Sequence, residues 1–304
     1  MKKILTAILL VFLLCPSAFC RQKIILDTDP AMGYPFHDVD DGLAMGIALN
    51  SPELEILGIT VIYGNHTAKK TYAKALEIMA EAKSNIPVLR GADGPEQFSE
   101  TPASKFIRET VLANPGEITI IAIGPLTNLA AAIKADPKVA KSIKAVVSMG
   151  GALEARLLGT PPGAFDMNWG SDQRSTQIVL ESAPEFVMIS TDLCMEVVFT
   201  KEKYKQLKSS APFLADYFAK NIKPWLDFNR VIFHTDQGRG FFPWDTLAVE
   251  YVLDPTIFTP NLIKITTRHR GKEAIYIDVG QGTRINAPLK MDREKFWRLF
   301  FDRV

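Results

Sequence analysis

The fold is decided by the stretch KIILDTDP at residues 23–30, in which a short apolar run ends on two aspartates. A second acidic group, DVDD, follows at residues 38–41, so that five carboxylates fall within fifteen positions. Like charges at this density repel one another, and each costs free energy to remove from water. A bound cation would offset both penalties, so the stretch predicts a metal site at the end of a buried strand.

The composition indicates a globular protein with a sizeable core. The chain has 304 residues, of which 47% are hydrophobic and 23% are charged. This length suits one large α/β domain or two small ones. The formal net charge is +1, and no run of lysine and arginine is interleaved with aromatic residues. Nucleic acid is therefore not expected as a partner.

Residues 1–20 have the pattern of a signal peptide. Two lysines precede an apolar run from Ile4 to Leu14, and small residues follow up to Cys20. The run is short for a membrane span, so we expect cleavage, export to the periplasm or the medium, and no stable membrane association afterwards. A lipid anchor on Cys20 and an uncleaved buried helix are the alternatives. The mature chain would keep Cys194 as its only cysteine and would have no internal disulfide.

Short β-branched runs alternate with amphipathic stretches along the rest of the chain. The predicted strands are Lys23–Thr28, Ile56–Tyr63, Ile118–Ile123, Ala145–Met149, Phe186–Thr191, Leu262–Thr266 and Ala274–Val279. The predicted helices are Thr67–Lys83, Leu126–Ala135, Asp172–Ser182 and Thr246–Val252. This alternation predicts an α/β fold with a mostly parallel, doubly wound (Rossmann-like) sheet and flanking helices. No repeat or linker divides the chain, so we expect a single catalytic domain over residues 21–304.

Polar residues concentrate where the predicted strands end. In open parallel sheets, ligands bind outside the carboxyl ends of the strands. The segments expected at that edge are Asp27–Asp29, Gly64-Asn65, Gly124–Asn128, Met149–Gly151 and Thr191-Asp192. Segments far apart in sequence therefore converge on one edge of the sheet, which predicts a binding site there.

The acidic group at this edge suits a hard cation. Ca²⁺ takes about six to eight oxygen ligands, and Asp29, Asp40 and Asp41 would supply carboxylates. Zinc is less suited, because the mature chain has few histidines and a single cysteine. The competing interpretation is that residues 38–41 only cap a helix starting near Leu43, since aspartate is favoured at helix N-termini.

The motif Ile25–Pro30, followed by Asp40-Asp41, resembles the N-terminal signature of the inosine-uridine-preferring nucleoside hydrolase family. Further segments follow in the order of that family over most of the mature chain. They are Gly64-Asn65, Pro125–Ala130, Val146–Gly151, Asp166-Met167-Asn168 with Asp172, and Trp244–Ala248. The ordered set is much more specific than the first motif alone. The resemblance implies the nucleoside hydrolase fold and the hydrolysis of a ribonucleoside to ribose and free base.

The resemblance also implies a Ca²⁺ site and a ribose site. The metal ligands would be the carboxylates of Asp29, Asp41 and Asp245 and the backbone carbonyl of Thr127. The ribose hydroxyls would be bound by Asp40, Asn65 and Asn168, with Asp166 near the 5′-hydroxyl and Asp27 supporting the site from behind. Family members are commonly dimers or tetramers, so the resemblance implies a homo-oligomer.

The reaction implied by this site is the attack of water on the anomeric carbon of the ribose. The cation would lower the pKa of a bound water, and Asp29 would accept its proton as general base. The transition state would resemble an oxocarbenium ion, whose positive charge the surrounding carboxylates favour. The histidine-rich stretch of the family is missing at residues 91–102, so His234 is a candidate acid for the leaving base. A purely structural His234 is the alternative.

Two further departures from the family pattern concern the pocket. Residues 31–38 are inserted between the two halves of the acidic motif, and they either reach over the pocket or form a displaced surface loop. Trp244 stands where pyrimidine-active members have a histidine, and an indole face stacks well on a purine. We therefore expect a preference for purine nucleosides, and a core position for Trp244 is the alternative.

Two other functions are compatible with parts of the sequence. A haloacid-dehalogenase-type phosphatase also begins with a strand ending in Asp-x-Asp, but Met32 stands where that family has threonine or valine. An exported nucleoside- or ribose-binding protein on the same scaffold would keep the pocket without catalysis. Metal-dependent release of ribose distinguishes the hydrolase from both.

Overall fold

The computed structural model of the protein describes residues 21–209, 213–270 and 274–304. The predicted signal peptide, including Cys20, lies outside the described residues. Within them, no helix combines the length and the apolar character needed to cross a membrane. The central element of the described part is a nine-stranded sheet, as the predicted fold class requires.

The sheet is parallel over most of its width. The strands are β1 (Gln22–Thr28), β2 (Leu54–Val61), β3 (Val88–Arg90), β4 (Thr119–Ala122), β5 (Ala145–Met149), β6 (Phe186–Ile189), β7 (Phe199–Thr200), β8 (His234–Thr235), β9 (Gly238–Phe241), β10 (Leu262–Arg270), β11 (Ala274–Val279) and β12 (Thr283–Asn286). The main sheet has the order β11-β10-β12-β6-β5-β4-β1-β2-β3, and a small sheet has the order β7-β9-β8. β10 pairs antiparallel with β11 and β12. The order reverses between β1 and β4, so the switch point of the doubly wound sheet lies there.

Helices cover both faces of the sheet. They are α1 (Asp40–Leu49), α2 (Ala68–Glu81), α3 (Pro102–Ala113), α4 (Thr127–Ala135), α5 (Lys138–Ser142), α6 (Gln173–Ser182), α7 (Thr191–Cys194), α8 (Lys201–Ser209), α9 (Ala215–Ile232), α10 (Thr246–Leu253) and α11 (Arg293–Arg303). Residues of α1, α10 and α11 share one hydrophobic core, and residues of α3, α4 and α6 share the other. Ile24 and Leu26 pack into the first core and Ile25 into the second, so β1 is buried on both faces. This position explains why its apolar run is continuous rather than alternating.

Each strand and helix predicted from the sequence overlaps an observed element, and the predicted fold class is confirmed. The predicted elements do not include α9, an 18-residue helix that contains Pro224. A proline inside a helix removes a backbone donor, so its presence is a sequence signal against a helix. They also omit the small sheet, whose strands are only two to four residues long. α9 packs against β9, and together they border the cavity described next.

Candidate active site

A cavity of about 340 Å³ opens at the carboxyl ends of β1 and β5, beside the switch point of the sheet. Six aspartates line it. Asp166 lies apart after β5, and we call the other five the acidic floor: Asp29, Asp38, Asp40, Asp41 and Asp245. Asp29 directly follows β1, Asp40 and Asp41 form the first turn of α1, and Asp245 directly precedes α10. The contact between α1 and α10 brings Asp245 next to residues far earlier in the chain.

Hydrogen bonds keep the two halves of the acidic motif together across the insertion. Asp41 Oδ1 accepts hydrogen bonds from the hydroxyl of Thr28 (2.5 Å) and from the backbone N–H of Asp29 (2.9 Å). Asp40 and Asp41 do occupy the first turn of a helix, as the capping interpretation predicts. These two hydrogen bonds to Asp41, however, come from the end of β1, so the inserted residues leave the two halves in contact.

The carboxylate of Asp29 lies in a slot between two glycines. The backbone N–H of Asn65 donates a hydrogen bond to Asp29 Oδ2. A Cβ atom at Gly64 would overlap this oxygen, and a Cβ atom at Gly124 would lie 2.7 Å from Asp29 Oδ1. Gly64 also has a φ of +148°, a conformation that residues with a side chain rarely adopt. Because the two glycines follow β2 and β4, the strands on either side of β1 form the slot.

Three carboxylates of the acidic floor are close enough to share a cation. One oxygen from each of Asp40, Asp41 and Asp245 lies within 4.8 Å of the other two, and all three residues are buried. Burial raises the pKa of Asp245, and the neighbouring carboxylates of Asp40 and Asp41 raise it further. Oδ1 of Asp245 has no hydrogen-bond partner among the described residues. An unpartnered buried oxygen within a set of oxygen donors fits a hard cation such as Ca²⁺.

The other aspartates of the floor experience the same repulsion. Burial raises the pKa of Asp29, and repulsion from Asp41 adds to it. The pKa of Asp40 is raised by burial and then by the charges of Asp38 and Asp41. Burial raises the pKa of Asp38 to about 7. A positive charge at this place would favour the ionised carboxylates, which is a second reason why these residues fit a cation.

Asp27 lies behind the acidic floor, inside the sheet. Its Oδ1 accepts hydrogen bonds from the hydroxyl of Thr60 (2.6 Å) and from the amide of Asn128 (2.8 Å). Burial raises the pKa of Asp27 to about 6. These bonds tie β1 to β2 and α4, which is the arrangement expected of a supporting residue.

Two of the residues predicted to bind ribose, Asp40 and Asn65, lie beside the predicted metal ligands. Asp40 belongs to the close group of three carboxylates. Asn65 Oδ1 accepts a hydrogen bond from the backbone N–H of Asp38 (3.3 Å), and the Asn65 side chain opposes the rise that burial causes in the pKa of Asp41. A carboxylate and an amide are therefore adjacent at the floor, and both groups can bind a diol.

Asp166 and Asn168 line the cavity from the segment after β5. Both oxygens of Asp166 accept backbone N–H groups, which come from Gly151, Asn168 and Trp169. Asp166 therefore shapes the turn at 166–169, and much of its capacity to accept hydrogen bonds is already used there. The side chain of Asn168 donates to the carbonyl of Met149 (3.3 Å), and this bond orients its amide. The predicted ribose contacts of these two residues stay predictions.

Trp244 lines the cavity directly before Asp245. Its ring contacts Phe242 with 4.7 Å between the centroids, and Phe233 packs on Phe242 from another side at 5.3 Å. Its backbone carbonyl accepts a hydrogen bond from the thiol of Cys194 (3.4 Å), which is a free and buried cysteine. Trp244 is therefore fixed by neighbouring groups and presents an aromatic surface to the cavity.

Two predicted site residues lie outside the lining of the cavity. Thr127 is buried at the start of α4, and its hydroxyl donates to Asp172 Oδ2 (2.6 Å). The predicted role of its carbonyl as a metal ligand stays a prediction. His234 is exposed in β8, where it pairs with Arg239 of β9. This position gives no support to His234 as general acid, because such a group must reach the leaving base.

Residues 33–37 of the insertion border a second cavity of about 220 Å³. Its lining includes Tyr34, Phe36 and His37, none of which lines the first cavity. Phe36 packs edge-on against Phe228 of α9, with 5.4 Å between the ring centroids. Of the inserted residues, Asp38 therefore belongs to the acidic floor, whereas residues 33–37 form a neighbouring pocket with α9.

The outer walls of the first cavity were not predicted from the sequence. One wall consists of Trp225, Phe228 and Ile232 on α9, and the other is the segment 152–168 with Leu158 and Phe165. We call these two surfaces the apolar walls. An apolar side chain carries no local sign that it faces a ligand rather than the core, so the sequence gives no signal for them.

Asp192 holds the beginning of the second apolar wall. Its carboxylate accepts hydrogen bonds from three consecutive backbone N–H groups, those of Leu153 (2.7 Å), Glu154 (2.8 Å) and Ala155 (2.7 Å). The position of Asp192 at the end of a strand was predicted from the sequence, but its three hydrogen-bond donors were not. Charge-assisted hydrogen bonds of this kind are roughly twice as strong as neutral ones, so Asp192 fixes the segment relative to the sheet.

Together, the doubly wound sheet and the acidic floor at its switch point define an α/β enzyme that acts on a small molecule. The sequence matches the family described as "Inosine-uridine preferring nucleoside hydrolase" over residues 24–298. The chain belongs to this family and is a hydrolase of N-glycosyl bonds that acts on ribonucleosides. This assignment confirms the resemblance seen in the sequence and decides against the phosphatase.

Relatives with different base preferences are similar to this chain. "Probable uridine nucleosidase 2" of Arabidopsis thaliana is 29% identical over 268 residues, which cover 79% of this chain and 80% of the relative. "Pyrimidine-specific ribonucleoside hydrolase RihB" of Escherichia coli is 30% identical over 225 residues, 66% of this chain and 69% of the relative. The solved "Purine-Preferring Ribonucleoside Hydrolase from Gardnerella vaginalis" has a TM-score of 0.80 at 24% identity, covering 92% of this chain and 97% of its own. This last likeness establishes the fold alone.

Proposed function

We propose that the protein is a Ca²⁺-dependent ribonucleoside hydrolase that favours purine nucleosides. The observation that carries this proposal is the buried group of Asp40, Asp41 and Asp245, with Asp29 beside it, in a cavity that also contains Trp244. Asp29, Asp41, Asp245 and the carbonyl of Thr127 would hold the cation. When bound, Ca²⁺ supplies the positive charge that makes a water molecule more acidic and orients the ribose diol.

The residues of the chain divide the remaining work. Asp29 accepts a proton from the attacking water, and the hydrogen bond from the backbone of Asn65 keeps its carboxylate in place. Asp40 and the amides of Asn65 and Asn168 bind the ribose hydroxyls, so a sugar without these hydroxyls would leave buried polar groups unpaired. The negative floor favours the positive charge that develops on the ribose as the N-glycosidic bond breaks.

Trp244 supports the preference for purines. Its indole, which packs on the buried ring of Phe242, offers an aromatic face at the cavity, and a purine has a larger face to stack on it than a pyrimidine. No histidine of the described residues lines this cavity. Without a histidine as general acid, the departing nucleobase must either stabilise its negative charge itself or take a proton from solvent.

Metal dependence is tested with ribose release from inosine. We expect turnover that is lost after treatment with a chelator and restored by Ca²⁺, with Mg²⁺ as the comparison. Turnover that survives complete removal of metal would contradict the assignment of the acidic floor. Inosine that binds without any release of ribose, in the presence of Ca²⁺, would instead support the non-catalytic binding protein.

The preference for purines is tested by comparing kcat/KM for inosine and uridine. We expect inosine to be the better substrate, and we expect Trp244→Ala to lower kcat/KM for inosine by about tenfold or more because base stacking is lost. Trp244→Phe keeps an aromatic face and should retain most of the activity. A wild-type preference for uridine, in line with the names of the relatives above, would refute the purine preference without affecting the hydrolase assignment.

Export stays a prediction from the sequence, and self-association stays an expectation that the family resemblance implies. Cell fractionation with an antibody against the mature chain would test export, and light scattering of the purified protein would test for a dimer or tetramer. A protein confined to the cytosolic fraction, or a monomer at micromolar concentration, would contradict the respective prediction.

A further inference from the structure

The cavity is strongly divided in polarity. The charged residues that line it are the acidic floor and Asp166, and no lysine or arginine of the described residues lines it. Most of the side chains around its outer part are apolar, among them Leu157, Leu158, Phe165, Trp225, Phe228 and Ile232. A nucleoside with its ribose on the floor would therefore point the far edge of its base toward apolar side chains.

Several of these apolar side chains are unusually exposed for their type. Leu158 is 63% exposed and Phe165 is 60% exposed, and Met167, Phe228 and Ile232 also face solvent. Large apolar side chains gathered around one cavity mark a surface that binds an apolar group, whereas scattered ones need no explanation. The apolar surface also continues beyond the cavity, because Trp225 and Phe228 line the second cavity as well.

The backbone presents these side chains in a fixed arrangement. Leu158 has a φ of +51°, a left-handed conformation that costs free energy for a leucine. The turn around it is closed by the backbone hydrogen bond from Thr160 N–H to the Leu157 carbonyl (3.0 Å). Asp192 and Asp166 fix the two ends of the same segment. A strained leucine held outward beside a cavity is expected where its contact with a ligand matters.

We propose that the enzyme acts on ribonucleosides whose base carries an apolar substituent on the edge away from the ribose, such as an alkyl or aryl group on the exocyclic amine of adenine. The inference rests on the proposed function and specifies its substrate class. The ribose and the reacting bond occupy the floor, and the substituent packs between Leu158 and Phe165 on one wall and Phe228 and Ile232 on the other. The reaction remains hydrolysis, with water adding to the ribose and the substituted base leaving with a proton.

The test compares kcat/KM for N6-benzyladenosine and for adenosine, measured as ribose release with Ca²⁺ present. Adding apolar groups that fill a pocket changes kcat/KM by about tenfold or more, so we expect a ratio of about ten in favour of the benzyl compound. Leu158→Ser and Ile232→Ser should each lower this ratio severalfold. Both side chains reach the surface, so these variants are expected to fold, which circular dichroism checks.

Two exposed positions provide matched controls. Leu262→Ser changes a leucine that is 60% exposed, an exposed fraction similar to that of Leu158. Leu262 lies on β10, outside the lining of the cavity. Val231→Ser changes the neighbour of Ile232 on α9, which also lies outside the lining. Neither control should alter the ratio.

The outcomes separate this inference from the function on which it rests. Ribose release from adenosine with a ratio near one, or a ratio that Leu158→Ser and Ile232→Ser leave unchanged, overturns the proposed substrate class and leaves the hydrolase intact. No release from adenosine, inosine or N6-benzyladenosine, with Ca²⁺ present, would overturn the proposed function and this inference with it.

Discussion

The acidic floor and the apolar walls meet in one cavity but are built in different ways. The floor lies at the ends of buried strands and at the starts of helices, and short hydrogen bonds such as Thr28 to Asp41 hold it. The walls consist of a helix and a long connecting segment with half-exposed side chains. The part to which we assign the chemistry is thus fixed by the core, whereas the part to which we assign the base can change without disturbing the sheet.

The largest expected effect is at the floor. Asp29→Asn keeps an oxygen that can accept the N–H of Asn65 but removes the base, so kcat should fall by about 10²–10⁴-fold while the fold is retained. Steady-state ribose release measures it, and Asp302→Asn, an exposed aspartate on α11, is the control. Activity within a few-fold of the wild type would show that another group takes the proton.

A smaller effect is expected where the apolar wall is anchored. Asp192→Asn retains only one oxygen for three backbone N–H groups, so the segment 153–155 should loosen. We expect KM for N6-benzyladenosine to rise by about tenfold and kcat to change less, since one lost hydrogen bond to a charged group is worth about 1.5–3 kcal/mol.

Asp136→Asn is the control for this variant, because Asp136 also accepts a backbone N–H but is half-buried directly after α4, outside the lining of the cavity. A fall in kcat with unchanged KM would argue that Asp192 acts on the floor and not on the wall.

Glu250 is a buried acidic residue that belongs neither to the acidic floor nor to the apolar walls. It lies in α10, and neither oxygen has a hydrogen-bond partner among the described residues. Burial raises the pKa of Glu250 well above 4.5, so the folded state favours the protonated form of this side chain. The free energy of unfolding therefore falls as the pH rises from the pKa of Glu250 in the unfolded chain through its higher pKa in the folded protein. Glu250→Met should raise the free energy of unfolding by about 1–3 kcal/mol at neutral pH, with ribose release little changed.

Urea denaturation at pH 5 and pH 8 checks the sign of this effect. The gain of Glu250→Met over the wild type should be larger at pH 8, where ionisation of Glu250 opposes folding. An equal gain at both pH values would mean that packing of the new methionine, and not removal of a buried acid, stabilises the variant.

The smallest expected effect is at His234. Its side chain is exposed in β8 and outside the cavity, so His234→Gln should change kcat/KM by less than about twofold, where loss of a true general acid would remove about 10²–10⁴-fold. The pH profile of kcat/KM should also stay unchanged. A loss of tenfold or more would restore His234 to the mechanism and require the small sheet to move toward the floor.

The same contrast explains what the sequence could predict. The end of β1 and its aspartates could be predicted because the apolar run and the acidic motif are adjacent in the sequence. The fold could be predicted because similar short patterns recur along the chain. The apolar walls could not be predicted from neighbouring residues, because the packing of α9 decides whether Trp225 or Phe228 faces the cavity. The helix α9 was itself not predicted, because it contains Pro224. Asp166 was predicted as a site residue, but the three backbone N–H groups that donate hydrogen bonds to its carboxylate could not be predicted, because they depend on the fold.

The slot formed by Gly64 and Gly124 has a consequence for how variants of this enzyme are judged. Adding one methyl group at either position would push the Asp29 carboxylate out of place without removing a single polar atom. A chain could therefore retain every aspartate of the floor and still be inactive. When related sequences are screened for activity, these two glycines are as informative as the acids that they surround.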